Sequence, residues 1–254
     1  MKRGSPGILT LLLSLPVLFG LRLGNAAEER AVLAFVCRPD NDLYKVVSRS
    51  GIPLERYDTP EAALRHTPAA AGMLILAEGY PAKTTRISPA VLKKIQERKT
   101  RLYLEYPAAL PGLSTGEAVT SRYERLVTSS DFAAPLPPLH ILSANGLRWL
   151  SVYAPSPHIV AARVAGLDSA LFGLPGERAP ILFEFASGRI LVSTTSLSHF
   201  VTARFAPKDG WKLLWEAILR WLAPVRYHWL VLVVLKTNLN CTLVTLGAET
   251  LTSS

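Results

Sequence analysis

The sequence is poor in the residues from which metal centres and disulfide frameworks are built. It contains two cysteines, Cys37 and Cys241, and five histidines in 254 residues. No Cys-x-x-Cys pair or Cys/His cluster has metal-ligand spacing, so we expect neither a metal site nor a bound cofactor. A single bridge between Cys37 and Cys241 stays open in an oxidising compartment, although we expect Cys37 to be a buried thiol.

Long runs of one charge are also missing. The formal charge of +9 falls to +6 when the three basic residues of the N-terminal segment, Lys2, Arg3 and Arg22, are left out. The rest of the positive charge is spread along the chain, and no basic run is interleaved with stacking aromatic residues. Nucleic acid is therefore not an expected partner.

The N-terminus has the layout of a signal peptide. Basic residues precede an apolar segment, residues 8–21, and small residues follow before the first acidic pair. The segment is shorter than the roughly 20 apolar residues of a membrane span, and Pro16 interrupts it. We expect cleavage after Ala26 or Ala27 and export of the chain to the periplasm or beyond the cell. An uncleaved anchor formed by residues 1–26 is the alternative.

The stretch from Gly72 to Pro107 has the pattern of a βαβ unit. Residues 73–77 and 102–104 are apolar runs, which is typical of parallel strands covered on both faces. Between them Ser88 is placed to cap a helix, and Pro89 suits its first position. The segment predicts two parallel strands joined by a helix.

The same alternation precedes this unit. Residues 31–37 and 54–57 are predicted strands, and helices are predicted after Asp40 or Asn41 and after Thr59. The order of elements up to residue 107 predicts a doubly wound, mainly parallel sheet flanked by helices, a flavodoxin-like arrangement.

The second half has a different pattern. Residues 108–138 are rich in Pro, Gly, Ser and Thr, and they predict either a lid over a crevice or a surface insertion. Residues 139–195 contain strand-like segments with hairpin turns at Asn145-Gly146 and Ser187-Gly188, so antiparallel strands should extend the parallel sheet. A core helix is predicted from Asp209, with its apolar residues on one face.

Polar residues follow three of the predicted strands. They are Arg38 and Asp40 after the first strand, Glu78 and Tyr80 after the third, and Glu105 and Tyr106 after the fourth. Ligands of open α/β sheets bind outside the carboxyl ends of strands, so any site should include these residues. Glu78 and Glu105 are candidates for a glycosidase acid and its partner carboxylate, whereas Arg38, Tyr80 and Tyr106 suit a sugar-binding surface. Asp40 is a candidate for either ligand contact or helix capping.

Taken together, residues 34–47, 72–81, 101–113, 160–175 and 190–222 resemble exported bacterial proteins that carry a class I glutamine amidotransferase-like domain. Such domains stand beside or within carbohydrate-processing modules, as in the middle domain of some β-galactosidases. The resemblance implies a class I amidotransferase-like fold over roughly residues 31–222 and a role close to carbohydrate processing.

The resemblance also implies a place for a catalytic cysteine, in a tight turn between a strand and a helix. The turn after the fourth strand contains Glu105, Tyr106 and Pro107 and has neither Cys nor Ser. Pro107 also offers no N–H to an oxyanion. His199 lies where a triad histidine is expected, and its alternative role is a polar residue bonded to backbone at a strand end.

The sequence thus favours a non-catalytic, exported amidotransferase-like domain at residues 27–223. It would serve as an interaction or accessory module in carbohydrate processing, with carbohydrate or a carbohydrate-active module as its partner. A glycoside hydrolase using Glu78 and Glu105, or a small-molecule sensor, stays open. Residues 224–254 have no predicted element and are a candidate for a truncated or frame-shifted end.

Overall fold

The computed structural model describes residues 33–69, 71–201, 208–223, 233–237 and 240–244. The strands are β1 Leu33–Val36, β2 Leu54–Tyr57, β3 Gly72–Ile75, β4 Leu102–Glu105, β5 Ala118–Thr120, β6 Arg125–Thr128, β7 Ile141–Leu142, β8 Arg148–Leu150, β9 Ile159–Ala162, β10 Arg178–Phe185, β11 Ile190–Ser193, β12 Val233–Thr237 and β13 Asn240–Val244. The helices are α1 Asp42–Ser48, α2 Pro60–His66, α3 Pro89–Glu97 and α4 Lys208–Leu222, with short 3-10 helices at Asp131–Ala133 and Leu197–Phe200.

Nine strands of the described chain form one mixed sheet in the order β2-β1-β3-β4-β11-β10-β9-β6-β7. The pairings from β2 to β11 are parallel. From β11 to β7 every strand is antiparallel to its neighbour. The predicted parallel sheet with antiparallel strands added in the second half is therefore confirmed.

Helices cover both faces of the parallel strands. Along β1, Leu33 and Phe35 pack in the cluster that contains residues of α1 and α4, whereas Ala34 and Val36 pack with residues of α2 and α3. Successive side chains of a strand point to opposite faces, so a strand buried on both sides must be apolar throughout. This burial explains the continuous apolar runs in the sequence and makes the sheet doubly wound.

Three helices begin at the predicted capping residues. The side chains of Asn41, Thr59 and Ser88 accept hydrogen bonds from the backbone N–H of the third residue of α1, α2 and α3. The capping alternative for Asp40 is thus wrong, because Asn41 caps α1 and the Asp40 carboxylate bonds Arg38 instead.

Helix α4 supplies the predicted apolar face. Its buried hydrophobic residues are Trp211, Leu214, Trp215, Ala217, Ile218, Leu219 and Leu222. The end of the helix lies directly against β3, where a Cβ added at Gly72 would stand 2.7 Å from the Leu222 carbonyl oxygen. A glycine at the start of β3 therefore permits this close approach of helix and sheet.

Two expectations for the second half need correction. Residues 108–138 are not one long loop, because β6 lies inside the large sheet and its Leu126 and Val127 are fully buried. Asn145-Gly146 forms a turn with Gly146 at φ +68°, yet the strands on either side do not pair with each other. β7 pairs with β6, and β8 pairs with β5.

The Ser187-Gly188 hairpin does join β10 to β11, as predicted.

The described residues include two strands near the C-terminal end of the chain and begin at residue 33 at the N-terminal end. The predicted signal peptide, residues 1–26, lies outside the described residues. Strands β12 and β13 form an antiparallel pair within residues 224–254, where the sequence predicted no element. No helix among the described residues has both the length and the apolar character needed to cross a membrane.

Candidate functional site

A crevice of about 230 Å³ opens at the carboxyl ends of the parallel strands. It is lined by Arg38, Asp40, Asn41, Asp42, Ala77, Glu78, Tyr80, Ser196, Ser198 and His199. These residues follow β1, β3 and β11. The chain leaves β1 towards β2 on one side and returns to β3 on the other, so the crevice includes the topological switch point of the sheet. Ligands of doubly wound sheets usually bind at this point.

Two Arg-x-Asp pairs stand at the ends of β1 and β2. The Arg38 guanidinium donates from Nε and Nη2 to the two carboxylate oxygens of Asp40, at 3.1 and 3.0 Å. Arg56 donates from Nη1 to Asp58 at 2.6 Å and to the Cys37 carbonyl oxygen at 3.0 Å. Each arginine is therefore already paired with an aspartate two residues further along the chain.

Glu78 is the exposed carboxylate between these pairs. Partial burial raises its pKa, and the charges of Arg38 and Arg56 oppose that rise while those of Asp40 and Asp58 reinforce it. Within each ion pair the arginine lowers the pKa of Glu78 and the aspartate raises it, so desolvation sets the direction of the shift.

Tyr80 and His199 form an aromatic wall of the crevice. Their ring centroids are 5.4 Å apart and their planes are inclined by 52°. The Tyr80 hydroxyl accepts a bond from the Arg148 N–H at 2.7 Å and donates to the Arg148 carbonyl oxygen at 3.1 Å. Tyr80 is thus held in place by backbone, whereas the His199 side chain is exposed at the rim.

Glu105 lies behind the crevice and is fully buried. Its carboxylate accepts five hydrogen bonds, from Tyr103 Oη, Ala77 N, Ser196 Oγ, Ser198 N and Ser198 Oγ, at 2.8, 3.1, 3.1, 2.7 and 2.7 Å. Burial raises the pKa of Glu105, and these donors counteract the rise. Glu105 therefore ties the end of β3 and the segment after β11 to β4, and it meets the crevice only through the residues that it holds.

The turn after β4 has the backbone of a strained elbow without a nucleophile. Tyr106 has φ +46°, which is uncommon for a residue other than glycine. Its N–H donates to the Ser193 carbonyl oxygen and its own carbonyl oxygen accepts from Thr85 N–H, at 2.8 and 2.7 Å. The side chain is 2% exposed and packs edge-on against Tyr80, with centroids 5.2 Å apart. An aromatic ring of the core thus occupies the turn.

Cys37 is free and buried at the end of β1, and it is not among the residues that line the crevice. Burial, reinforced by the charge of Glu78, raises the pKa of its thiol to about 12. The thiol is therefore protonated at neutral pH, and a protonated thiol is a poor nucleophile. The side chain of Cys241 lies outside the described residues.

Five of the seven residues predicted for a site line the crevice, namely Arg38, Asp40, Glu78, Tyr80 and His199. Glu105 and Tyr106 do not, because both are buried behind it. The sequence reasoning missed Ser196 and Ser198. The signal was present, since the polar run from Ser193 to Ser198 follows a buried strand at the same edge of the sheet. Among the described residues, no group of His, Cys, Asp and Glu could hold a metal ion.

Comparisons with known proteins bear on the fold alone. No protein-family profile and no curated protein matches the chain. The chain is similar to the crystal structure of a ThuA-like protein from Bacteroides uniformis, at 10% identity and a TM-score of 0.47, over 76% of this chain and 90% of that one. It is also similar to the PurLQS structure from Thermotoga maritima, at 14% identity and a TM-score of 0.41, over 76% and 99%. The class of protein, a doubly wound α/β domain with a crevice at its switch point, rests on the strand order described above.

Proposed function

We propose that the chain is an exported, non-catalytic domain of the amidotransferase-like type whose crevice binds a small hydroxylated ligand, in the service of carbohydrate processing. The observation that carries the proposal is the crevice at the switch point, lined by hydrogen-bonding side chains and an aromatic wall. Carboxylates, a guanidinium and an amide together offer both donors and acceptors to hydroxyl groups. The Tyr80 ring offers an apolar face to a sugar ring.

The surroundings of the crevice support binding without catalysis. Thiol chemistry would need a thiolate in the crevice, but Cys37 is protonated and lies elsewhere. At the elbow the buried Tyr106 ring offers no nucleophile. The crevice therefore holds no thiolate of the kind that a thiol-dependent amide hydrolase requires. Its serine hydroxyls, of Ser196 and Ser198, donate to the buried Glu105 carboxylate.

The glycosidase alternative has less support. Both carboxyl groups of a glycosidase must reach the same glycosidic bond. Glu78 is exposed in the crevice, but the oxygens of Glu105 are fully buried and already accept five hydrogen bonds. A sugar would have to displace those donors before it could contact Glu105.

Two parts of the proposal, export and a role in carbohydrate processing, are inferred from the sequence. The signal-like N-terminus supports export, and the resemblance to amidotransferase-like domains beside carbohydrate-active modules supports the context. N-terminal sequencing of the protein recovered from the periplasm or medium should begin at Ala27 or Glu28. Recovery of the intact Met1 terminus in the membrane fraction would instead favour the uncleaved anchor.

The binding proposal is tested by saturation-transfer NMR with a panel of monosaccharides and short oligosaccharides. We expect transfer to at least one sugar, and we expect the His199→Ala variant to weaken it because one side of the aromatic wall is lost. His66→Ala is the matched control, since His66 is exposed at the end of α2 and does not line the crevice. Glutamine and a series of aryl glycosides should not be turned over. Turnover that disappears in Glu105→Gln or Cys37→Ala would overturn the non-catalytic assignment.

A further inference from the structure

The charges around the crevice are not balanced. Arg38 with Asp40 and Arg56 with Asp58 form two ion pairs, at 3.0 and 2.6 Å. In both pairs the aspartate follows the arginine by two residues at a strand end, so each guanidinium is neutralised locally. Glu78 lies within the field of all four groups, and it is the charge left over.

The lining of the crevice favours a positive ligand over a negative one. It carries three carboxylates, from Asp40, Asp42 and Glu78, and its basic side chains are Arg38 and the imidazole of His199. Asp42 is paired with Lys45 at 4.0 Å. Arg38 already donates two hydrogen bonds to Asp40. A phosphate or carboxylate would have to share Arg38 with Asp40 and would bring its charge close to Glu78, whereas a cation would meet the exposed Glu78 carboxylate.

Glu78 is accessible to such a cation, because it is exposed and lines the crevice. Its carboxylate can accept a charge-assisted hydrogen bond from an ammonium group. The rings of Tyr80 and His199 stand on the same crevice, and an aromatic face is also favourable to a cation within about 6 Å of its centre.

We infer that the crevice selects a hydroxylated ligand that carries a primary ammonium group, an amino sugar, and that Glu78 is the residue that binds the ammonium. This inference rests on the proposed binding of a hydroxylated ligand and adds its charge. Asp40 and Arg38, held together as a pair, are left to contact hydroxyl groups.

The experiment is isothermal titration calorimetry of the mature chain with D-glucosamine, D-glucose and D-glucuronate at low ionic strength. We expect glucosamine to bind about ten-fold more tightly than glucose, which is the effect of one charge-assisted hydrogen bond. Glucuronate should bind more weakly than glucose. Added salt should reduce the preference for glucosamine.

The variants assign the effect to one residue. Glu78→Gln keeps the shape of the side chain and removes its charge, so the ratio of the glucosamine affinity to the glucose affinity should fall from about ten to about one. Glu97→Gln removes an exposed glutamate of α3 that pairs with Lys93 at 3.8 Å, outside the crevice, and it should behave as the native chain does.

The outcomes separate this inference from the proposed function. Equal affinity for glucosamine and glucose, or a preference for glucuronate, would overturn the inference and leave sugar binding intact. A glucosamine preference that persists in Glu78→Gln would overturn the role of Glu78. Failure of all three sugars to bind, together with a negative sugar panel, would overturn the proposed function and this inference with it.

Discussion

Replacing Glu105 by Gln tests the buried carboxylate that ties the crevice to the sheet. In the native chain Oε1 accepts from Tyr103 Oη and Ser198 N, and Oε2 accepts from Ala77 N and the hydroxyls of Ser196 and Ser198. An amide NH₂ can replace only one of these oxygens, and either choice turns a donor towards a backbone N–H. Hydroxyl groups can rotate to accept instead, but a backbone N–H cannot.

The expected cost follows from that one unsatisfied group. A buried N–H left without an acceptor costs about 1–3 kcal/mol, and removing a desolvated charge returns part of this. We expect the free energy of unfolding at pH 7 to fall by about 2 kcal/mol, which for a chain of this size lowers Tm by about 4–8 °C. Urea unfolding and differential scanning calorimetry measure both quantities.

The pH dependence gives an independent check. Burial raises the pKa of Glu105 above its ordinary value of 4.5, so the folded chain keeps this proton to a higher pH than the unfolded chain does. The stability that comes from this difference is full below pH 4.5 and is lost as the pH rises through the raised pKa. The stability of the native chain relative to Glu105→Gln should therefore decrease as the pH rises above 4.5.

Glu97→Gln is the control for the substitution itself, because Glu97 is 59% exposed and its ion pair contributes little. Its unfolding free energy should stay within about 0.5 kcal/mol of the native value. If Glu105→Gln is equally harmless, the five hydrogen bonds do not hold the crevice in the way described above.

Three further predictions concern groups outside the crevice. Cys37, with a thiol pKa of about 12, should resist Ellman's reagent at pH 8 until urea is added, and rapid reaction of the folded chain would contradict its burial. Burial lowers the pKa of His158, so its imidazole should titrate below 6.5 by NMR and stability should decrease as the pH falls through that range; a value of 6.5 or above would be inconsistent. Gly72→Ala places a Cβ 2.7 Å from the Leu222 carbonyl oxygen and should cost about 1–3 kcal/mol in urea unfolding. Gly176→Ala, with nothing within 4 Å, should be neutral, and equal stability of the two variants would refute the close contact.

The parallel half of the sheet was predictable because its signals are local. Strands buried on both faces must be apolar at every position, and helices that cover them begin at capping residues such as Ser88 and Thr59. Each of these features occupies a few consecutive residues. The order of strands then follows from the alternation of strands and helices.

The antiparallel half was less predictable because pairing is not local. The turn at Asn145-Gly146 forms as expected, but β7 pairs with β6 and β8 pairs with β5. A turn brings two segments close, and the burial of their side chains in the whole fold decides which partner each strand takes. β6 was missed for the same reason, because it pairs with distant strands and its segment has the composition of a loop.

The sequence by itself determined the alternation of strands and helices, the caps of α2 and α3 and the edge at which Arg38 and Glu78 lie, because these depend on periodicity and on neighbouring residues. Only the tertiary structure decided the roles of the two glutamates that follow β3 and β4. Glu78 is exposed in the crevice, while Glu105 is enclosed by donors from β3, β4 and the segment after β11. Burial and hydrogen bonding of a side chain depend on segments up to 93 residues away along the chain, and a local pattern carries no information about them.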